Sequence, residues 1–313
     1  MKFDEFANAI VERIEKRLEN ENPEVDVRIS NVKKNNGVEL TAVSIRVNGD
    51  KISPVIYLYP FYKEFMSGIS MDMLVNDILE LRDERICEDK DILQKYEPNI
   101  YENDKEKVIL KLVNKKRNQD TLKDIPYVDF LDMAVVFRKI VNLDEEGLLS
   151  VVLSYEDMRK MNVDLAQLYQ LALENTRRLF PEIKGNITEI IENIYTDVSK
   201  EMKEDIDQIF CEPMKYNPED QLFVLTNSRG LNGATAILYD GVLSECADML
   251  QDDVYFLPSS IHEFMFLKAG AGYDQDYLKE LVSSANATAV SSIDYLSDGV
   301  YKYIREDGSI IQV

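Results

Sequence analysis

Two runs of alternating apolar residues meet at Asn35-Asn36-Gly37, and this arrangement constrains the fold more than any other stretch of the chain. VDVRISNVKK precedes the triplet and VELTAVSIRV follows it. A period of two places alternate side chains on one face of a strand, and Asn and Gly accept the positive φ of a tight turn. The pattern predicts an antiparallel hairpin whose apolar face needs a cover. The preceding segment supplies one. Phe3, Phe6, Ala7, Ile10, Ile14 and Leu18 recur at helical spacing, and Pro23 ends the run. Asn48-Gly49 leads into KISPVIYLYPFY, which reads as a third strand. Met71, Leu74, Val75, Ile78 and Leu81 then form a helical stripe over 70–96 with Ser70 as its N-cap, and a bend is expected near Pro98.

The rest of the chain repeats the same vocabulary. VILKLVN at 108–114 reads as a strand, and 131–154 as a second hairpin turning at Asp144-Glu145-Glu146-Gly147. Helices are expected over 164–179 and 186–208, and a loop over 211–220 where Pro213 and Pro218 fall. QLFVLTN, ATAILY, DVYFLP and HEFMFLKAG read as strands, with helices over 241–250 and 274–287 among them. GVYKYIRE, Asp307-Gly308 and SIIQV close the chain as a hairpin. Hairpins outnumber βαβ patterns, so the expected class is α+β: mostly antiparallel sheets built from hairpins, with amphipathic helices packed against them. At 313 residues, two domains are expected, 1–120 and 121–313.

Charge narrows the classes of function. The net charge is −22, and residues 186–313 alone carry −15. That balance argues against nucleic acid or an anionic membrane surface as partner. A hydrophobic fraction of 45% is enough to bury a core, so the chain is not a disordered acidic tract. No apolar run approaches the roughly 20 residues of a membrane helix. The first twenty residues lack the apolar segment of a signal peptide, and Cys87, Cys211 and Cys246 are odd in number and far apart. Both features predict a cytoplasmic protein without a disulfide framework. The concentrated acidity suggests a solvated face, or a docking surface for an unidentified protein partner of basic character.

The chemistry is bounded by one histidine, His262. A single His with three scattered Cys gives no closed zinc site, and the acidic clusters lack the spacing of a calcium loop, so no metal and no cofactor are expected. Nucleophilic catalysis would need His262 as its base. Ser259 and Ser260 are the nearest hydroxyls, and strand alternation would point Ser260 and His262 the same way. A second candidate is the loop from Asn227 to Gly233. There Asn227, Arg229 and Gly230 follow a strand, and backbone N–H groups with an Arg fork suit an anion. Its Gly spacing matches neither a P-loop nor a dinucleotide motif.

Several segments together carry a resemblance: VKKNNGVELTAVSIR, KISPVIYLYPFY, KLVNKKRN followed by IPYVDFLDMAVVF, LFVLTNSRGLNGATAILY, YFLPSSIHEFMFL and LSDGVYKYIRE. In this order the chain resembles the uncharacterised bacterial family called domain of unknown function 5688. The resemblance implies a bacterial cytosolic protein and transfers no functional residue. Two readings of function remain. The first is a non-enzymatic protein-interaction module with an acidic C-terminal surface. The alternative is a hydrolase, or a protein binding a small anionic ligand, with its site around His262, Ser260 and Arg229.

Overall fold

Helix α1 (Phe3–Glu19) buries Phe6, Ala7, Ile10 and Ile14, the stripe set by their spacing. Asp4 and Glu5 in its first turn and Lys16 and Arg17 in its last complement the helix dipole. These elements come from a computed structural model that describes residues 1–19, 25–47, 53–95, 102–144, 147–186 and 222–313. Two units divide the chain, Met1–Pro98 and Asn99–Val313.

In the first unit, β1 (Val25–Lys33) and β2 (Glu39–Val47) pair antiparallel from Val25↔Val47 to Lys33↔Glu39. Asn36 and Gly37 hold φ of 61° and 67° in the turn, as the Asn-Gly chemistry requires. The stretch read as a third strand is only partly one. β3 (Val55–Tyr57) pairs with β2, and the chain then enters α2 (Leu58–Met66). Leu58, Phe61, Tyr62 and Phe65 lie at helical spacing and pack on the core. Pro60 falls in the first turn, where a missing N–H breaks no helical bond. In α3 (Met71–Lys95), the Met73 N–H donates to Ser70 Oγ at 3.3 Å, so Ser70 caps as expected. Phe6, Ile10, Ile14, Leu58, Leu74 and Ile78 are fully buried, each worth about 1.5–3 kcal/mol of apolar burial.

The second unit opens with β4 (Val108–Asn114) and α4 (Gln119–Leu122), followed by β5 (Tyr127–Phe130), β6 (Met133–Leu143) and β7 (Leu148–Val152). β6 pairs antiparallel with β4, β5 and β7. The division between the two units falls at Pro98, ahead of the position 120 expected for a domain boundary. β4 is bound along its length to β6, from Val108↔Lys139 to Asn114↔Met133, and cannot belong to the first unit. Helices α5 (Tyr155–Lys160) and α6 (Leu165–Leu179) each start with a capping box, Ser154 with Asp157 and Asp164 with Gln167.

A six-stranded antiparallel sheet follows. Its strands are β8 (Glu182–Asn186), β9 (Phe223–Asn227), β10 (Val254–Ser260), β11 (Glu263–Lys268), β12 (Tyr301–Ile304) and β13 (Ser309–Gln312), in the order β13-β12-β10-β11-β9-β8. Helices α7 (Val242–Leu250) and α8 (Gln275–Thr288) complete the unit. ATAILY is not a strand. Gly233–Leu238 forms a buried 3-10 helix, because β8 and β11 already occupy both edges of β9. Leu110, Val135 and Phe137 of the four-stranded sheet share one core with Leu225, Phe256, Phe264, Phe266 and Tyr301 of the six-stranded sheet. α8 covers the other face through Leu278 and Val282, against Tyr255, Leu257, Met265 and Leu267.

The antiparallel pairing and packed helices make the fold α+β. The bend near Pro98, the helix over 186–208, the loop over 211–220, Asn48-Gly49 and the thiols of Cys87 and Cys211 lie outside the described residues. Cys246 is buried, and burial pushes its thiol up to about 12.

Candidate functional site

His262 does not lie in a strand. β10 ends at Ser260, β11 begins at Glu263, and His262 occupies the turn between them. Strand alternation stops at this turn, and the expected Ser-His contact stops with it. The Ser260 hydroxyl donates to Glu263 Oε1 at 2.8 Å and accepts the backbone N–H of His262 at 2.9 Å. Its proton goes to a carboxylate rather than to the imidazole. The register shifts between Pro258 and Ser260, and the side chain of Ser259 lies outside the described residues.

The imidazole instead faces the 227–233 loop. His262 Nδ1 lies 2.9 Å from the Gly230 carbonyl oxygen and 3.3 Å from the Asn232 backbone N–H. One ring nitrogen cannot donate and accept at once. A protonated Nδ1 donates to Gly230, and an unprotonated one accepts from Asn232. On the other side, Nε2 is 3.7 Å from Asp294 Oδ1. The Asp294 carboxylate holds the imidazole above its ordinary range, Glu263 adds to it, and burial pulls the other way. Asp294 is held below the usual carboxylate range by His262, against burial. Each group thus favours the charged form of the other, and the pair bridges the loop and the segment before β12.

The loop itself is closed by its own bonds. Asn227 Nδ2 donates to the Leu231 carbonyl, its Oδ1 accepts the Arg229 N–H, and the Gly230 N–H donates to the Asn227 carbonyl. Gly230 and Asn232 sit in the left-handed region, at φ of 64° and 52°. Gly233 is required sterically, because a Cβ there would lie 2.2 Å from Thr226 Oγ1 and 2.3 Å from the His262 carbonyl. The amides that looked suited to an anion are largely spent on this turn. Arg229 Nη1 extends to the Asp144 carbonyl at 2.9 Å. Asn227, Gly230 and His262 therefore come together, while the Ser260 hydroxyl and the Arg229 guanidinium each turn to other partners.

A cleft of about 710 Å³ lies elsewhere in the second unit. Lys116, Arg117, Lys279 and Tyr295 line it, with Asp132 and Asp298. Arg117 follows β4, where its N–H donates to Asn114 Oδ1 at 2.7 Å. Asn114 Nδ2 donates to the Leu296 carbonyl at 2.7 Å and so fixes the segment carrying Tyr295. The Arg117 guanidinium stacks 3.6 Å from the Tyr295 ring centroid. Burial and a hydrogen bond to Asp298 push the Tyr295 hydroxyl up to about 12. Both carboxylates are engaged by neutral donors. Asp132 accepts from the Ser297 hydroxyl at 2.6 Å and from the Tyr301 hydroxyl, and Asp298 accepts from Asn286 Nδ2 at 2.8 Å. Among the described residues, none accepts a hydrogen bond from the Arg117 guanidinium. None of the described residues forms a cluster of three or more metal-ligating side chains.

Sequence reasoning missed this cleft. Its only signal was the basic-polar stretch KKRNQD in an acidic chain, which marks Lys116 and Arg117 but not Tyr295. Asp294 carried no signal, since its relation to His262 exists only in the fold.

The family of unknown function DUF5688 matches the chain over residues 3–305, and the chain belongs to that family. No curated protein and no solved structure matches it. Among the described residues, no helix is long and apolar enough to cross a membrane.

Proposed function

We propose that this is a non-enzymatic binding protein of the cytoplasm whose cleft receives a small ligand bearing a carboxylate or phosphate. The observation that carries this reading is the Arg117 guanidinium held over the Tyr295 ring at 3.6 Å, with its N–H groups unspent among the described residues. A stacked guanidinium keeps its planar fork available for bidentate anion recognition at little entropic cost. Lys116 adds positive charge at the same opening, as does Lys279, which is also 3.7 Å from Asp276, while Asp132 and Asp298 accept from hydroxyl and amide donors.

An acidic surface docking a basic protein has less support. Many described acids of the C-terminal region already serve local partners: Asp252 with Lys268, Asp253 with Lys302, Asp248 with Arg305, and Glu245 with Lys184. Hydrolysis at Ser260 and His262 has less support because the serine proton is committed to Glu263.

Calorimetric titration with inorganic phosphate and with citrate tests the proposal. Saturable one-to-one binding is expected, weakened at least about tenfold by Arg117→Ala and by raised salt. Equal affinity in the Arg117→Ala variant would overturn it.

A further inference from the structure

Lys111 is a half-buried lysine in the middle of β4, and no described residue gives its amine a hydrogen bond or an ion pair. It pairs across the sheet with Val136, and Ile109 pairs with Arg138. Lys111 and Arg138 therefore share one face as diagonal neighbours, about 7–8 Å apart at the backbone. Ile109, Val113 and Val136 on that face are buried and make an apolar surround. Arg138 is fixed there. Its Nε donates to Ser150 Oγ at 2.8 Å and its Nη2 to the Ser150 carbonyl, which leaves Nη1 unspent among the described residues.

An ammonium in that setting loses hydration and faces a second positive charge, and both effects favour the neutral amine. Burial first, then Arg138, lower the Lys111 amine to about 8, and the negative charge of Asp294 opposes them. An amine biased toward its neutral form beside a fixed guanidinium is the arrangement that forms imines with carbonyl compounds bearing an anionic group.

We propose that Lys111 is a nucleophilic amine that captures small oxo acids as imines, with Arg138 Nη1 receiving their carboxylate. The amine lone pair attacks the carbonyl carbon and a C–N bond forms. The carbonyl oxygen then leaves as water, taking both amine protons through solvent, and no oxidant or reductant is consumed. The capture is reversible by hydrolysis.

The test is trapping with glyoxylate and sodium cyanoborohydride at pH 7.5 on the full chain, read by peptide mass spectrometry. Lys111 should be labelled at least about tenfold faster than the exposed Lys63 and Lys123, because a larger fraction of its amine is unprotonated. Arg138→Gln should reduce that preference at least about threefold, to the level shown by acetaldehyde, because burial still favours the neutral amine. In the unmodified chain, acetaldehyde, which lacks the carboxylate, should show a preference at least about threefold smaller, so the proposal does not depend on the variant folding. Labelling of Lys111 no faster than that of Lys63 and Lys123 would overturn the reactive amine. An equal preference for glyoxylate and acetaldehyde would overturn the role of Arg138.

Discussion

The Arg117 guanidinium lies 3.6 Å above the ring of Tyr295, although 178 positions separate the two in the chain. The stacking depends on Asn114, whose amide holds the Leu296 carbonyl on one side while its oxygen takes the Arg117 N–H on the other. One buried amide thus sets both members of the pair.

Tyr295→Leu should weaken phosphate or citrate binding by about 2–30-fold, the range of a cation–π contact of about 0.5–2 kcal/mol. Arg117→Lys should lose more than Tyr295→Leu, because an ammonium keeps the charge but not the fork. Calorimetry on both variants reads the order, and the reverse order would show that charge alone matters.

His262 and Asp294 make stability depend on pH. The folded value of His262 lies above its ordinary 6.5, so its contribution is fully present below about 6.5 and is lost as pH rises through the raised value. Asp294 lies below its ordinary 3.8, so its contribution is present above about 3.8 and is lost as pH falls through the depressed value. The melting-temperature gap between the unmodified chain and His262→Gln should be widest between about pH 4 and 6.5 and should narrow at alkaline pH. The side chains are 34% and 35% exposed, so solvent screening keeps the contribution of the pair to about 1 kcal/mol or less. A gap constant from pH 5 to pH 10 would contradict the pairing.

Gly233→Ala should destabilise by about 1–3 kcal/mol in urea unfolding. The new methyl would meet the His262 carbonyl, which is backbone and cannot rotate away. Gly230→Ala meets no atom within 4 Å and bears only the cost of its left-handed φ, so it should be milder.

Asp104 and Lys139 form a buried ion pair at 2.7 Å, with side-chain exposures of 11% and 7%. Asp104→Ala should cost about 3–5 kcal/mol by leaving the lysine charge buried without this partner, whereas Asp104→Ala with Lys139→Met should recover much of the loss. A double-mutant cycle by denaturant unfolding measures the coupling, and full additivity would rule it out.

Local periodicity made most of the fold legible. α1, the β1–β2 hairpin, α3, α6, α8 and the closing β12–β13 hairpin follow from spacing, caps and Asn-Gly or Asp-Gly turns. Two segments departed because tertiary context decided them. Leu58–Met66 fits either period, and the apolar cover it provides as a helix prevails. Ala234–Leu238 has strand composition but no free strand edge beside it. The candidate site was legible only in halves. The lone His and the Asn-Gly-rich loop were visible as residues, but not that Asp294 and Gly230 would be the partners of His262. The basic stretch at Lys116 and Arg117 stood out against an acidic chain, while Tyr295 had nothing local to mark it.

The bond from Asn114 to Leu296 also bears on the order in which the second unit can assemble. Asn114 leaves the ribosome long before Leu296, and Asp132 likewise waits for Ser297 and Tyr301. Until those residues emerge, β4 and the turn before β6 lack their polar partners, and the shared core lacks the Tyr301 ring. Contacts this distant in sequence slow folding, so the core shared by the two sheets closes late, and until then an apolar sheet face stands open to chaperones.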